Sequence, residues 1–246
     1  MSASPARALL WPFVFTCAVL AVLVSLGLWQ LQRLAWKEGV LAQIEARVNA
    51  APVAAPADWG AFDPQRDEYR HVTLSGTFEH DHEALVFRAT GNGRPGFEGP
   101  GYLVLTPMLL ADGAHVLVNR GFVPIDRRNP ASRAAGQVAG QVTVTGLLRS
   151  TEPRNAFTPK DDPARGAWFT RDVAAISAHF ALARPAPFSI DADASPNPGG
   201  LPLGGATVLA IPNDHLSYAL TWFGLGLGLL GVFGVLAWGK VRAART

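Results

Sequence analysis

The sequence predicts an α+β membrane protein. Two transmembrane helices, one towards each end of the chain, flank a single extracytoplasmic domain that is mainly antiparallel β-sheet with one or two helices. Two uncharged stretches, residues 9–29 and 215–239, are each long enough to cross a hydrocarbon core of about 30 Å. Only 16% of the 246 residues are charged, and all 19 acidic residues lie in residues 30–214, between the two stretches. Because about a quarter of the residues of a soluble domain are charged, a simple soluble enzyme is excluded.

The first predicted element is the transmembrane helix at residues 9–29, which follows a short cytoplasmic N-terminus at residues 1–8. Trp11 and Trp29 lie near its two ends, as is typical of the aromatic belts at membrane surfaces. The stretch is longer than the apolar core of a signal peptide, so we expect an anchor that is not cleaved. Apolar residues at helical spacing in residues 31–48 predict that the helix continues beyond the membrane.

An alanine- and proline-rich connector at residues 49–66 leads into a series of predicted strands. Their alternating apolar residues and intervening turns are typical of antiparallel pairing. Ala111-Asp112-Gly113 is a good hairpin turn, and apolar residues in helical register predict a helix near residues 168–183. The predicted strands are residues 69–78, 84–89, 101–110, 114–123, 141–149, 186–191 and 206–211.

The second transmembrane helix, residues 215–239, fixes the expected orientation. The tail at residues 240–246 carries three basic residues and no acidic one, and positive residues favour the cytoplasmic side. With two spans, both chain ends are then cytoplasmic and residues 30–214 lie outside the cytoplasm. Because the short N-terminus lacks the features of a mitochondrial presequence, we expect a multi-pass protein of the bacterial inner membrane with a periplasmic domain.

Charge and cysteine content exclude several classes of function. The net charge of +2 comes from basic residues at the chain ends, so no nucleic-acid partner is expected. Cys17, the one cysteine, lies within the first span, which excludes disulfides and thiol-based metal sites in the domain. No Ser-His-Asp, H-E-x-x-H or P-loop pattern is present, and we do not expect an enzyme.

Two weaker patterns have structural alternatives. Residues 80–83, HDHE, offer four potential metal ligands, but no further ligand is fixed by spacing, and a solvated turn is the preferred interpretation. Residues 91–96 match G-x-G-x-x-G, yet nearby prolines prevent the helix that a dinucleotide site requires, so a flexible loop is expected.

A stripe of glycines lies on the second span. Gly224, Gly228 and Gly231 share one helical face, and small residues at this spacing allow another helix to approach closely. The neighbouring helix is either the first span or a partner protein.

The segment that begins the second span is the most informative one for a site. Asn213 or Asp214 is expected to cap the helix, and His215, Tyr218 and Trp222 then lie on one of its faces, at the outer membrane boundary. An imidazole at this boundary is able to ligate iron while an apolar macrocycle rests against the helix. The alternative is an interfacial histidine that helps to finish the cap, and residue chemistry alone favours this alternative.

Four segments resemble motifs of the Surfeit locus protein 1 family of cytochrome c oxidase assembly factors, in the same order and around the same two spans. Residues 27–37, GLWQLQRLAWK, are similar to G-x-W-Q-L-x-R-x-x-W-K, and residues 69–78, YRHVTLSGTF, are similar to Y-R-x-V-x-x-x-G-x-F. Residues 118–124, VNRGFVP, resemble V-N-R-G-W-V-P. Residues 213–223, NDHLSYALTWF, resemble N-N-H-L-x-Y-A-x-T-W-F.

The resemblance implies an assembly factor for haem-copper cytochrome c oxidase, a haem a chaperone that aids insertion of the cofactor into the catalytic subunit. It implies haem a as a transient cofactor, with the oxidase catalytic subunit and the haem a synthesis machinery as partners. His215 is implied as the haem iron ligand, beside Tyr218 and Trp222. The chain departs from the motifs at Phe122, where tryptophan is usual, and at Asp214, whose carboxylate is expected either to orient the imidazole or to repel haem propionates.

Two other functions and the roles of three arginines stay open. A cofactor-free assembly scaffold would act through the glycine-rich helix and the exported domain, and a membrane-anchored periplasmic enzyme ranks last. Arg33, Arg70 and Arg120 are expected either to pair with haem propionates or to form ordinary ion pairs within the domain.

Overall fold

The computed structural model describes residues 5–90, 96–207 and 212–243. The chain divides into two compact units, a helical unit from residues 1–43 and 210–246 and a sheet unit from residues 44–209. The predicted α+β class, with long terminal helices and a mostly-sheet domain, is confirmed.

The helical unit is built from two long helices, α1 at Pro5–Val48 and α4 at His215–Ala243. Each contains a stretch long and apolar enough to cross a membrane, and most of that surface is exposed in the isolated chain. Exposed leucine and valine side chains are unfavourable in water but match lipid tails, so the two helices are consistent with membrane anchors. The helix α1 is continuous as far as Val48, so the predicted extension of the first helix is confirmed.

The two helices pack side by side and antiparallel along one narrow face of each. The rings of Phe13 and Phe233 lie 5.9 Å apart between centroids, and a Cβ at Gly226 would lie 3.2 Å from Leu20. Ala219 is only 1% exposed. On each helix these residues are seven positions apart, or about two turns, which is the spacing expected along one face of paired helices.

The described residues of the sheet unit form seven strands and two short α-helices: β1 Val53–Ala54, α2 Pro64–Asp67, β2 His71–Phe78, β3 Ala84–Arg88, β4 Gly101–Leu109, β5 His115–Pro124, β6 Gln141–Arg149, α3 Val173–His179 and β7 Pro185–Ala192. The strand order is β1-β2-β6-β7-β5-β4-β3. A second pairing, of Thr77 with Leu109 and Phe78 with Met108, joins β2 to β4 and closes five strands into a ring. The β5–β7 and β1–β2 pairs are parallel, and the others are antiparallel.

Two apolar clusters form the core of this unit. One packs β3, β4 and β5 against α3 around the buried Trp168, and the other packs β2, β5, β6 and β7 around Phe188. Val116 and Leu117 are neighbours in β5 yet belong to different clusters, because successive side chains of a strand point to opposite faces. The side chains of β5 therefore contribute alternately to the two apolar clusters, and the strand belongs to both.

Six of the predicted strands are present, with bounds within two residues of those predicted, and the hairpin at Asp112 is present too. The Asp112 Oδ1 accepts a hydrogen bond from the Ala114 amide at 3.1 Å, and Gly113 has a φ of +80°. The seventh predicted strand, at 206–211, is not supported where it is described: residues 206–207 lie outside any strand, and 208–211 lie outside the described residues.

The predicted helix at residues 168–183 is wrong in extent, because α3 is much shorter. Trp168 forms a β-bridge with Val86 instead. Asp172 then caps α3, since its side chain accepts a hydrogen bond from the Ala175 amide. The apolar spacing that predicted a longer helix reflects burial of the preceding extended segment.

Candidate functional site

His215 is the first residue of α4 and is half-buried in the helical unit. Its Nδ1 lies 2.8 Å from the Oε1 of Gln30 in α1. An amide oxygen only accepts, so Nδ1 carries a proton and donates, which in the neutral ring leaves the lone pair on Nε2. Metal-ligating histidines commonly have their second nitrogen fixed in this way.

Tyr218 and Trp222, the other predicted site residues, follow His215 by about one and two turns. Tyr218 is 57% exposed, whereas Trp222 is half-buried. Between them, Ala219 is buried and lies one helical repeat of seven residues before Gly226, which packs against Leu20 of α1. The aromatic side chains therefore border the packed face of α4, and their role at a site stays a prediction.

The start of α4 is capped by Asp214, one of the two residues expected there. The carbonyl of Asp214 accepts a hydrogen bond from the Tyr218 amide at 3.2 Å, which places Asp214 at the N-cap position. Within the described residues, the buried Oδ1 of Asn213 has no hydrogen-bond partner. Just before it, the carbonyl of Pro212 accepts a hydrogen bond from the Lys37 ammonium of α1.

The glycine stripe is not the surface that contacts the first helix. Among the described residues, nothing lies within 4 Å of a Cβ built at Gly224, Gly228 or Gly231. By contrast, Gly27 lies against the ring of Phe223 and so carries the close approach between α1 and α4. Within the part of the chain that the structure describes, the stripe is therefore open.

Residues 80–83 form a 3₁₀ turn that ends in a buried carboxylate, so the expected solvated turn is only partly correct. The Glu83 carboxylate binds Arg133 through both oxygens, at 2.6 and 3.2 Å, and lies 3.3 Å from Arg120 Nη1. His80 accepts from the same Arg120 at 3.3 Å through Nδ1, so Nε2 donates to the Val138 carbonyl at 3.0 Å. In the described part of the chain, no group of three or more metal-ligating side chains is found.

The other two arginines of undecided role, Arg70 and Arg33, also have partners within their own units. Arg70 lies 3.6 Å from the Asp67 carboxylate, and the Arg33 guanidinium lies 3.9 Å from the centroid of the Trp36 ring. Arg70 and Arg120 thus have carboxylate partners and Arg33 has a cation–π contact, and pairing of any of them with haem propionates stays a prediction.

The sequence patterns do not predict a second buried charge cluster, which is centred on Asp191. Its carboxylate accepts hydrogen bonds from Asn119 at 2.9 Å, Thr207 at 2.6 Å, Arg149 at 3.0 Å and Arg171 at 3.2 Å. Burial by itself raises the pKa of Asp191, but the Arg171 and Arg149 guanidiniums outweigh it and hold the pKa below its ordinary value. Only Asn119 lies in a recognised motif, so the sequence carries a signal for one member of the cluster.

The comparisons with known proteins point to one family. The model of the SURF1 family matches residues 17–227, which include Gln30 and His215. Rat Surfeit locus protein 1 is 37% identical over 221 residues, 86% of this chain and 71% of the rat protein. Human Surfeit locus protein 1 is 38% identical over 212 residues, 82% of this chain and 69% of the human protein. A SURF1-like protein of Monosiga brevicollis is 39% identical over 214 residues, 85% of this chain and 80% of that protein.

Proposed function

The chain belongs to the SURF1 family of cytochrome c oxidase assembly factors, and from this premise we propose that it is a haem a chaperone with His215 as the iron ligand. The hydrogen bond from His215 Nδ1 to Gln30 carries the proposal. It fixes the tautomer in which Nε2 has the lone pair, and neutral imidazole is the form that binds iron.

The surroundings of His215 suit a cargo that is held and then released. Tyr218 and Trp222 offer aromatic surface next to the imidazole, and the exposed apolar side chains of α4 match the apolar tail of haem a. A single side-chain ligand binds the haem iron more weakly than a site with several ligands would, and weaker binding favours transfer of the haem. The protein contributes binding and orientation, and we propose no catalytic activity for it.

The cargo implies two partners, the haem a synthesis machinery as donor and the oxidase catalytic subunit as acceptor. We place the chain in the bacterial inner membrane with both ends in the cytoplasm and the sheet unit in the periplasm. Two helices of membrane-spanning length support the placement. Lys240 and Arg242 in the last turn of α4 support the orientation, because basic residues favour the cytoplasmic side.

The test is spectroscopic. The full chain, purified in detergent from cells that make haem a, is expected to show a Soret band that is lost or shifted in His215→Ala. His179→Ala, which changes an exposed histidine of the sheet unit, serves as the matched control and is expected to keep the wild-type band. Identical haem spectra and affinities in wild-type and His215→Ala protein would remove His215 from the site.

The open glycine stripe favours a second candidate, a cofactor-free scaffold that binds oxidase through α4. Under this alternative, Gly228→Leu abolishes co-purification with the oxidase while haem binding has no bearing on assembly. Gly234→Leu is the control, since a Cβ at Gly234 also has nothing within 4 Å among the described residues but lies outside the stripe. Equal co-purification in both variants would contradict the scaffold.

A further inference from the structure

A cleft of about 490 Å³ opens in the sheet unit, with Tyr69, Arg149 and Arg171 in its polar wall and Phe97 and Phe122 in its apolar wall. We propose that this cleft binds a small molecule with a flat apolar body and one carboxylate group. Its volume falls in the range of small-molecule sites. The proposal is independent of the haem a site, because the described lining contains no histidine, cysteine or methionine.

The apolar wall is rigid and aromatic. The rings of Phe97 and Phe122 lie 5.6 Å apart and are inclined by 34°, and the two residues are 7% and 2% exposed. Both belong to the core around Trp168, which holds them in place. Aromatic walls favour flat apolar ligands, because ring faces and edges pack closely against each other.

The polar wall contains the guanidinium of Arg171, whose N–H donors do not all have a good acceptor among the described residues. The side chain of Arg171 is only 5% exposed, and its Nη1 is bound to Asp191. Its Nη2 reaches the Ser150 carbonyl only at 3.5 Å, and within the described residues its buried Nε has no hydrogen-bond partner. Nε and Nη2 form one edge of the guanidinium, the kind of edge that carboxylates bind with two parallel hydrogen bonds.

The charges of the cleft leave Arg171 as the cation with the weakest compensation. Arg149 has a carboxylate of its own in Glu68, at 2.8 Å, in addition to its contact with Asp191. Among the described residues, the one carboxylate that pairs with the Arg171 guanidinium is that of Asp191, which Arg149 shares. A ligand carboxylate would supply the missing acceptor, and a buried donor without an acceptor is otherwise unfavourable.

A strained residue completes the polar wall. Tyr69 has a φ of +63°, which is unusual for a bulky side chain. The conformation sets its ring 4.6 Å from the Arg149 guanidinium. Strain of this kind persists where the surrounding structure holds it, and it concentrates at ligand sites.

The test uses 2-naphthoate as the probe, titrated by calorimetry into the full chain in lipid nanodiscs, with neutral 2-naphthylmethanol as the second probe. We expect saturable binding of 2-naphthoate and binding of the alcohol that is at least about tenfold weaker, since one charged hydrogen-bonded pair is lost.

The first variant, Ser150→Phe, fills the cleft while keeping the backbone amide that binds Glu68. It is expected to weaken 2-naphthoate binding about tenfold or more.

A second variant and a control keep the result interpretable if Ser150→Phe unfolds. Tyr69→Leu removes a half-buried ring of the polar wall and its contact with Arg149 but none of the hydrogen-bond partners of Asp191, and is expected to weaken 2-naphthoate binding several-fold. Arg184→Gln alters an exposed arginine that pairs with Asp112 and is expected to bind as the wild type does. Absence of saturable binding, equal affinity for acid and alcohol, or wild-type affinity in Tyr69→Leu would each overturn the proposal. His215→Ala is expected to leave 2-naphthoate binding unchanged, because His215 does not line the cleft, so the two proposals fail separately.

Discussion

Gln30 of α1 and His215 of α4 are 185 residues apart in sequence and share a hydrogen bond of 2.8 Å between Oε1 and Nδ1. The bond joins the first helix to the first residue of the last one. It also decides which nitrogen of the neutral imidazole carries the proton, so under the proposed function Gln30 sets the chemistry of His215 without touching the haem.

Replacing Gln30 by leucine is expected to lower haem affinity by about 10- to 100-fold, the usual cost of losing the hydrogen-bond partner of a metal-ligating histidine. Haem titration followed by absorption measures the effect. Gln32→Leu, an exposed glutamine of the same helix, is the matched control and is expected to bind as the wild type does. The idea fails if the two variants have the same affinity.

Replacing Glu83 by glutamine is expected to destabilise the sheet unit by about 3–5 kcal/mol, because it leaves the Arg120 and Arg133 guanidiniums buried without a carboxylate. Denaturant unfolding of the full chain gives the free energy. Glu79→Gln, which changes a partly exposed carboxylate in the same turn, is expected to cost under about 1 kcal/mol. Similar losses in both variants would show that the buried cluster contributes no more than a surface pair.

The stability of the sheet unit is expected to fall as the pH rises through the folded-state pKa of His71. Partial burial lowers this pKa, but hydrogen bonds from Nε2 to Asp193 and from Nδ1 to the Ala50 carbonyl, at 2.8 and 2.9 Å, raise it above its ordinary value. The folded state therefore holds the proton more tightly than the unfolded chain. The stabilisation is complete below about pH 6.5 and is lost above the folded-state pKa.

The measurement is the free energy of unfolding between about pH 5.5 and 8.5. His71→Gln and Asp193→Asn are each expected to flatten the dependence, because each removes one side of the ion pair. An unchanged slope in both variants would rule out His71 as its source.

Replacing Gly121 by alanine is expected to destabilise the protein by about 3 kcal/mol. Gly121 has a φ of +125°, and a Cβ there would meet the backbone carbonyl of Leu203, which cannot move away as a flexible side chain would. Gly140→Ala is the matched control: its φ is +81°, and nothing described lies within 4 Å of its Cβ, so only backbone strain of about 1 kcal/mol is expected. Thermal unfolding distinguishes them, and equal shifts would contradict the role of the Leu203 contact.

Local patterns were sufficient to predict most of the sheet. Alternation locates β2 and β6 because each has one face in the core, and the turn at Asp112 marks the hairpin. The prediction of the helix at 168–183 failed for the same reason: Trp168 is buried in an extended segment, and burial alone gives no period that separates helix from strand over so short a run.

Local sequence patterns do not predict which residues come into contact when they are far apart in sequence. Motifs flagged Gln30, His215 and Arg120 individually, but the partner of each depends on how remote segments are aligned. Glu83 was assigned to a solvated turn because nothing near it in sequence reveals that Arg133 lies against it. The Asp191 cluster draws its members from separate elements, and no spacing rule connects them.

The parallel pairing of β5 with β7 has a consequence for synthesis of the chain. The strand β4 directly precedes β5, but β7 starts only at Pro185, long after β5 ends at Pro124. At a synthesis rate of about 5–20 residues per second, β7 follows β5 by roughly 3–12 s. The edge of β5 that pairs with β7 is unpaired during that time. A product truncated before β7 has no closed ring, leaves one edge of β5 unpaired and lacks Phe188, around which the second apolar cluster packs. Such nascent chains need protection from aggregation until residue 192 has emerged.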